Sequence, residues 1–288
     1  MLKKLLVFAV CCFVSVAAGA DDTDTTQKEL VLDIRRIGLD LSKTQLRHAG
    51  EYTTSPISAL NTDEQDFIKG VFDSALEYNV ARFNWDNSLF MEYGKTTLKP
   101  YNGAATTNEN ADKILVASNL SYACWDFDSF KLGPMVRASY ETEFEPANDT
   151  KDRLKVLRGF GGLSMFDSEI IKSLYLAGVY EYDFTYGHDQ VSKLAVELGW
   201  RVEYELRQGV KFSSDGYYRE YLDYSEYVGT DLSRDLSVSV HMDTNLWGAF
   251  TMGPYVKYRR AKARAAQNYG SNLMMGVSFN YITKFGLK

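Results

Sequence analysis

Ser239 and His241 stand two residues apart, and a serine beside an imidazole is the smallest arrangement that supplies both a nucleophile and its base. On a strand the two share a face. The sequence shows no evident asparagine to orient the ring and no oxyanion donor, so the pair also reads as two polar side chains side by side. The three histidines, His48, His188 and His241, are scattered without metal-ligand spacing. Gly159, Gly161 and Gly162 lack the Lys-Ser/Thr that a phosphate loop requires, and read instead as glycines that let a strand bend. These residues imply no catalytic, cofactor or metal site.

What the chain carries in quantity is charge at every second position. From Lys193 to Arg207, Leu194, Val196, Leu198, Trp200, Val202, Tyr204 and Leu206 fall on one face. Lys193, Ala195, Glu197, Gly199, Arg201, Glu203, Glu205 and Arg207 fall on the other. A helix scatters these residues around its axis, whereas a strand separates them. The same separation sets Leu176, Gly178, Tyr180, Tyr182 and Phe184 against Glu181 and Asp183. It sets Leu236, Val238, Val240, Met242 and Leu246 against Asp243, and Leu132, Val136, Ala138, Tyr140 and Phe144 against Arg137, Glu141 and Glu143.

Such runs predict about twelve strands, near 34–45, 70–83, 85–97, 112–125, 129–145, 153–166, 170–186, 191–207, 209–224, 232–246, 249–262 and 270–285. The clearest runs exceed the five or six residues usual in soluble proteins and meet the roughly 9–11 needed to cross a membrane at a tilt. Long connectors at 48–66, 99–111, 146–152 and 263–269 alternate with tight ones at Phe83-Asn84, Asp126–Asp128, Asp167-Ser168, Gln208 and Trp247-Gly248. Short turns on one side and long loops on the other fit a bacterial barrel with an even strand number and both chain ends inside. The connector at 187–190 is short for an external loop. The expected fold is all-β: a closed antiparallel transmembrane up-and-down β-barrel. Its lipid face would carry aromatics near both interfaces: Trp85, Tyr93, Tyr122, Tyr140, Tyr182, Trp200, Tyr204, Trp247, Tyr258 and Tyr281.

Export is expected from the N-terminus. Lys3 and Lys4 precede the apolar run Leu5–Val16, and Ala18-Gly19-Ala20 offers a cleavage pattern, so 1–20 reads as a signal peptide. Residues 21–29 form a short tail and 30–288 the barrel, placed in the bacterial outer membrane. Loss of the leader removes Cys11 and Cys12 and leaves Cys124, which alone forms no internal disulfide. The net charge of −6 becomes −8 once Lys3 and Lys4 leave, which argues against nucleic acid as a partner.

Near the C-terminus, Gly276, Phe279 and Tyr281 stand in a Gly-x-x-aromatic-x-aromatic arrangement. This resembles the signal by which the barrel-insertion machinery recognises outer-membrane proteins. Met274 stands where a polar residue is usual, and the chain runs on through Phe285 to Lys288. The stretches WDNSLFMEYGKTTL (Trp85–Leu98) and DKILVASNLSY (Asp112–Tyr122) together resemble a family of outer-membrane barrels from diderm bacteria, defined by a domain of unknown function. The likeness covers about the first half of the exported chain. It implies the fold and the location, and it implies no site.

The polar faces define the expected interior. Glu141, Glu143, Glu181, Asp183, Glu197, Arg201, Glu203, Glu205, Asp243 and Arg137 are expected to line the lumen, together with Asp73, Glu77, Glu92, Asp235, Lys131, Lys193, Arg207, Lys257 and Arg259. Acids outnumber bases in this set, which suggests a slight preference for cations. The basic cluster Lys257, Arg259, Arg260, Lys262 and Arg264 approaches the outer rim and suits phosphates of lipopolysaccharide. The expected function is a narrow passive channel or small-solute transporter, with no cofactor and with outer-membrane lipid as surroundings. The alternative is a structural barrel with a plugged lumen, showing loops 48–66 and 99–111 outward. A minor alternative is a lipid hydrolase using Ser239 and His241, although known barrel hydrolases carry His-x-Ser and this pair runs in the opposite order.

Overall fold

The computed structural model describes residues 29–52, 58–61, 66–98, 106–146, 152–185, 187, 190–227 and 231–287. The expected leader and nearly all of the tail lie outside the described residues. The strands are β1 (Glu29–Arg47), β2 (Asp66–Val80), β3 (Phe83–Leu98), β4 (Thr106–Tyr122), β5 (Trp125–Phe127), β6 (Phe130–Thr142), β7 (Lys155–Phe166), β8 (Ile171–Asp183), β9 (Val191–Arg207), β10 (Val210–Tyr224), β11 (Leu232–Trp247), β12 (Phe250–Ala263) and β13 (Gly270–Leu287). Each pairs antiparallel with its neighbours, β1 pairs with β13, and β4 pairs with β6, so the sheet closes on itself. The three-residue β5 continues the β4 position along β6 at one edge, where Trp125, Asp126 and Phe127 face Leu132, Lys131 and Phe130. The wall therefore has twelve strands.

Closure follows from the alternation. Every backbone donor and acceptor in a bilayer must find a partner, which leaves helices or closed barrels. No helix among the described residues is long and apolar enough to cross a membrane. The side chains divide cleanly between the two faces. Leu39, Leu41, Ile68, Leu163, Leu176, Leu194, Leu198 and Leu206 are exposed on the outside. Asp40, Lys69, Glu92, Glu181, Glu197, Arg219 and Asp235 are buried on the inside. Aromatics gather on the outer surface at both ends. Trp247–Phe250 and Phe250–Tyr281 touch near the end that holds both termini. Tyr93–Phe144 and Tyr182–Phe184 touch near the other. An apolar band between two aromatic girdles is the surface a membrane barrel needs.

The first tight turn falls at Ala81-Arg82, two residues before the expected Phe83-Asn84, which belong to β3. Ala81 takes the left-handed conformation there (φ 48°). The expected loop 99–111 is shorter as well, because β3 runs to Leu98 and β4 starts at Thr106. The β4 extension reads TTNENA, whose polar residues hide a strand from a hydrophobicity pattern. The inner ends of the later hairpins turn at Asp167, Gly209 and Gly248, all with positive φ.

Candidate functional site

A β-bulge in β1 begins the interior. Between Ile34 and Arg36 the pairing with β2 slips by one residue, so Arg35 and Arg36 both turn inward. Arg35 meets Glu77 at 3.1 Å and Asp86 at 2.7 Å. Arg36 pairs with Asp40, four residues on, and donates to Asn280 Oδ1 at 2.8 Å.

From there the ion pairs run around the wall. Lys69 lies 3.6 Å from Asp40 and 3.0 Å from Glu92. Glu92 also binds Lys257 at 2.9 Å, and this contact joins β3 to β12 across the interior. Arg259 binds Asp235 at 2.8 Å, and Tyr217 donates to the same carboxylate at 2.8 Å. Arg219 stacks over Tyr217, meets Glu197 at 2.5 Å and reaches Glu181 at 3.3 Å. Glu181, 2% exposed, also takes Arg158 at 2.5 Å and Lys193 at 2.8 Å. Arg158 continues to Glu141, which holds Lys113 at 3.1 Å. Each of these inward charges has an opposite charge beside it, which buried ions require.

One pair spans the ring more widely. Arg201 on β9 lies 3.9 Å from Asp73 on β2, six strands away in either direction. Arg201 also binds Glu203, which holds Lys211 at 2.6 Å. Asp215 sits directly opposite both Arg201 and Ser239 in the pairing register, on the inner face, and is nevertheless exposed. The interior is therefore not filled by side chains at this level.

The outer mouth is filled from the first long connector. After a single 3-10 turn at Ala49–Glu51, Tyr52 turns inward and is 2% exposed. Its hydroxyl donates toward Ala261 O and Asn268 O and accepts from Ala263 N, at 2.9–3.1 Å. A one-turn helix at Ser58–Asn61 touches β4 and β13. Its Leu60 is 2% exposed and packs in a cluster with Tyr52, Phe160, Val179, Tyr221 and Tyr224, and Asn272 donates to Ala59 O at 2.6 Å. The expected outward display of 48–66 is corrected at Tyr52 and Leu60, which find more burial inside the mouth than in water, while His48, Gly50 and Glu51 remain exposed.

Among the expected lining residues, Glu141, Glu181, Asp183, Glu197, Arg201 and Glu203 belong to the ion-pair system. Asp183 pairs with Lys193 at 3.5 Å, and Asp243 accepts from Asn280 at 2.8 Å. Arg137 lies over the Phe160 ring, and Glu143 accepts from Leu154 N. Glu205 is different: it is exposed at the edge and accepts from Gly209 N, fastening a turn. Arg35, Arg36, Lys69, Lys113, Arg158, Lys211 and Arg219 are inward bases that the alternation did not single out; Asp33, Asp40, Asp86 and Asp215 are the corresponding acids. With them the two signs come close to balance, which removes the basis for a cation preference.

The basic cluster on β12 is split by its own alternation. Lys257 and Arg259 face inward and bind Glu92 and Asp235, so they are not available to an outer ligand. Arg260 and Lys262 face outward, while Arg264, past the end of the strand, lies over Tyr224 at the mouth. The Ser239 hydroxyl lies 3.2 Å from His241 Nε2, on the inner face. Arg36 approaches the same nitrogen at 3.4 Å and competes for the lone pair a general base would need, while the ring is stacked on Tyr255. Gly162 is the one residue of its trio where a Cβ would strike the wall, 2.1 Å from Leu176 O; Gly159 and Gly161 face open space.

No protein-family model matches the chain, and no curated protein does. Among solved structures it is similar to outer membrane phospholipase A from Escherichia coli, with 12% identity over 91% of this chain and 94% of that one and a TM-score of 0.46. It is also similar to an outer membrane channel from Pseudomonas putida F1 (9% identity, 92% and 100% covered, TM-score 0.39). A third is the translocator domain of the autotransporter NalP from Neisseria meningitidis (9%, 97% and 96%, TM-score 0.37). These are distant likenesses between barrels with different stated roles.

Proposed function

We propose that the chain is a bacterial outer-membrane barrel that passes small polar solutes along a narrow path, closed at its outer mouth in the conformation described above. Asp215 carries this reading: an exposed carboxylate on the inner face, with Arg201, Asp73, Lys257 and Arg36 near enough to act on it. Above that level, ion pairs and the inward turn of the first connector separate water from the mouth. Closure by charge is informative. Apolar side chains of similar volume seal an interior at equal or lower cost, because desolvation offsets much of the attraction within a buried ion pair. Side-chain pairs also part without breaking a hydrogen bond of the wall.

A second reading is a structural barrel with a filled interior, favoured by the contacts that cross the ring, Arg201–Asp73 and Lys257–Glu92. Lipid hydrolysis by Ser239 and His241 is the weakest reading, since the pair faces away from lipid and Arg36 crowds the base. Single-channel recording of the refolded chain without residues 1–20 separates the first two. Brief discrete openings are expected, more frequent in Glu92→Gln, which loosens Lys257 from β3. Silence from both proteins, when each is a folded barrel whose gel mobility shifts on heating, would rule out the passage and leave the filled barrel.

A further inference from the structure

The outward half of the β12 basic cluster does not stand alone. Arg234 on β11 lies directly opposite Lys262 in the pairing register, and both face outward. Arg260 faces Ser271 across the next pair, and Ser271 faces Arg47 of β1. One patch on the outer surface thus gathers Arg47, Arg234, Arg260 and Lys262. Like charges set directly opposite one another destabilise a sheet unless something offsets them. Glu220, 3.0 Å from Arg234, offsets part of this charge.

Tyr269 organises the patch. Its hydroxyl accepts from Arg234 at 3.0 Å, its ring lies 4.1 Å under the Arg260 guanidinium, and Lys262 approaches the same ring at 5.9 Å. Arg264, past the end of β12, lies over Tyr227 at 4.4 Å and over the buried Tyr224 at 5.2 Å, so it belongs to the mouth and stands apart from the patch. The Tyr269 face holds Arg260 without neutralising it, and Lys262 is steadied by donating to Ala266 O; the remaining outward donors are left for an anion.

The height of the patch selects the anion. On β12 the outward residues climb from Val256 through Tyr258 to Arg260 and Lys262; on β11 they climb through Val240, Val238 and Leu236 to Arg234. The apolar band ends where the cations begin. This is the end away from both termini, hence the outer face of a bacterial barrel. We infer that Arg47, Arg234, Arg260 and Lys262 form a site for the phosphate groups of a glycolipid headgroup in the outer leaflet. Arginine forks bind phosphate oxygens in pairs, and the girdle below would lie against the acyl chains.

The test titrates the refolded barrel in detergent with purified lipopolysaccharide, with the same lipid stripped of its phosphates, and with inorganic phosphate. The temperature at which the folded gel band disappears is the readout. Lipopolysaccharide is expected to raise it saturably, and Arg260→Gln with Lys262→Gln to weaken that binding about tenfold. Lys172→Gln, outward at the opposite rim, is expected to change nothing. An equal effect of the stripped lipid would overturn the phosphate contact. An equal effect of inorganic phosphate at the same concentration would overturn the lipid as ligand. Unchanged binding by the folded double variant would overturn the residues; should that variant not fold, Arg47→Gln takes its place with the same expectation.

Discussion

At the residue scale, the mouth depends on a few polar anchors. Glu51 accepts hydrogen bonds from the Asn268 side chain at 2.8 Å and from the backbone N–H groups of Asn268 and Gln267. The Asn268 side chain is the largest influence, and together these donors hold the Glu51 carboxyl below the usual carboxylate range. A carboxyl depressed in the folded state contributes above its unfolded value of about 4.3, and the contribution is lost as pH falls through the folded value. The protection of the Gln267 and Asn268 amides, taken relative to the intrinsic exchange rate at each pH, should therefore fall on acidification below about pH 4. In Glu51→Gln this protection should already be low and should not change with pH over that range. An unchanged profile in that variant would show that Glu51 does not hold the two connectors together.

At the element scale, the wall is shaped by glycines placed where strands curl tightly. A Cβ on Gly276 would lie 1.8 Å from Leu41 O, and one on Gly253 would lie 1.7 Å from Met242 O. Both positions face inward, beside Tyr255. Gly276→Ala should cost about 1–3 kcal/mol, as overpacking does, measured by urea unfolding in detergent. Gly159→Ala points outward with nothing within 4 Å and should stay within about 0.5 kcal/mol of the parent. Equal effects would mean that the close approach at Gly276 is relieved by a small shift of the strand. The alternation exposed the strand faces well, because lipid outside and ion pairs inside impose opposite demands on successive residues. It did not find the β1 bulge, since Arg35-Arg36 simply reads there as a break in the pattern.

At the scale of the whole molecule, the ring is tied across its interior. Lys69 and Lys257 share Glu92, and only barrel closure brings those three strands to one point. Removing the shared acid leaves two ammonium groups facing each other. Glu92→Leu should therefore cost about 3 kcal/mol or more in urea unfolding, and Glu92→Leu combined with Lys257→Met should recover part of that loss. No recovery in the double variant would mean that water, not Glu92, solvates Lys257.

The sequence by itself determined the barrel and its twelve-strand wall, because a period of two is a local property that the regular strands state for themselves. The nearly exact placement of β9, with Leu194, Trp200 and Leu206 outside and Glu197 and Arg201 inside, rests on nothing more. Partnership is not local. Arg201 and Asp73 lie 128 positions apart in the chain, and no spacing announces that closure sets them 3.9 Å from each other. The inward turn of Tyr52 and Leu60, and the division of one basic cluster between lumen and rim, were likewise decided only when the sheet closed. Closure fixes which direction is inside, and burial and charge pairing then follow from it.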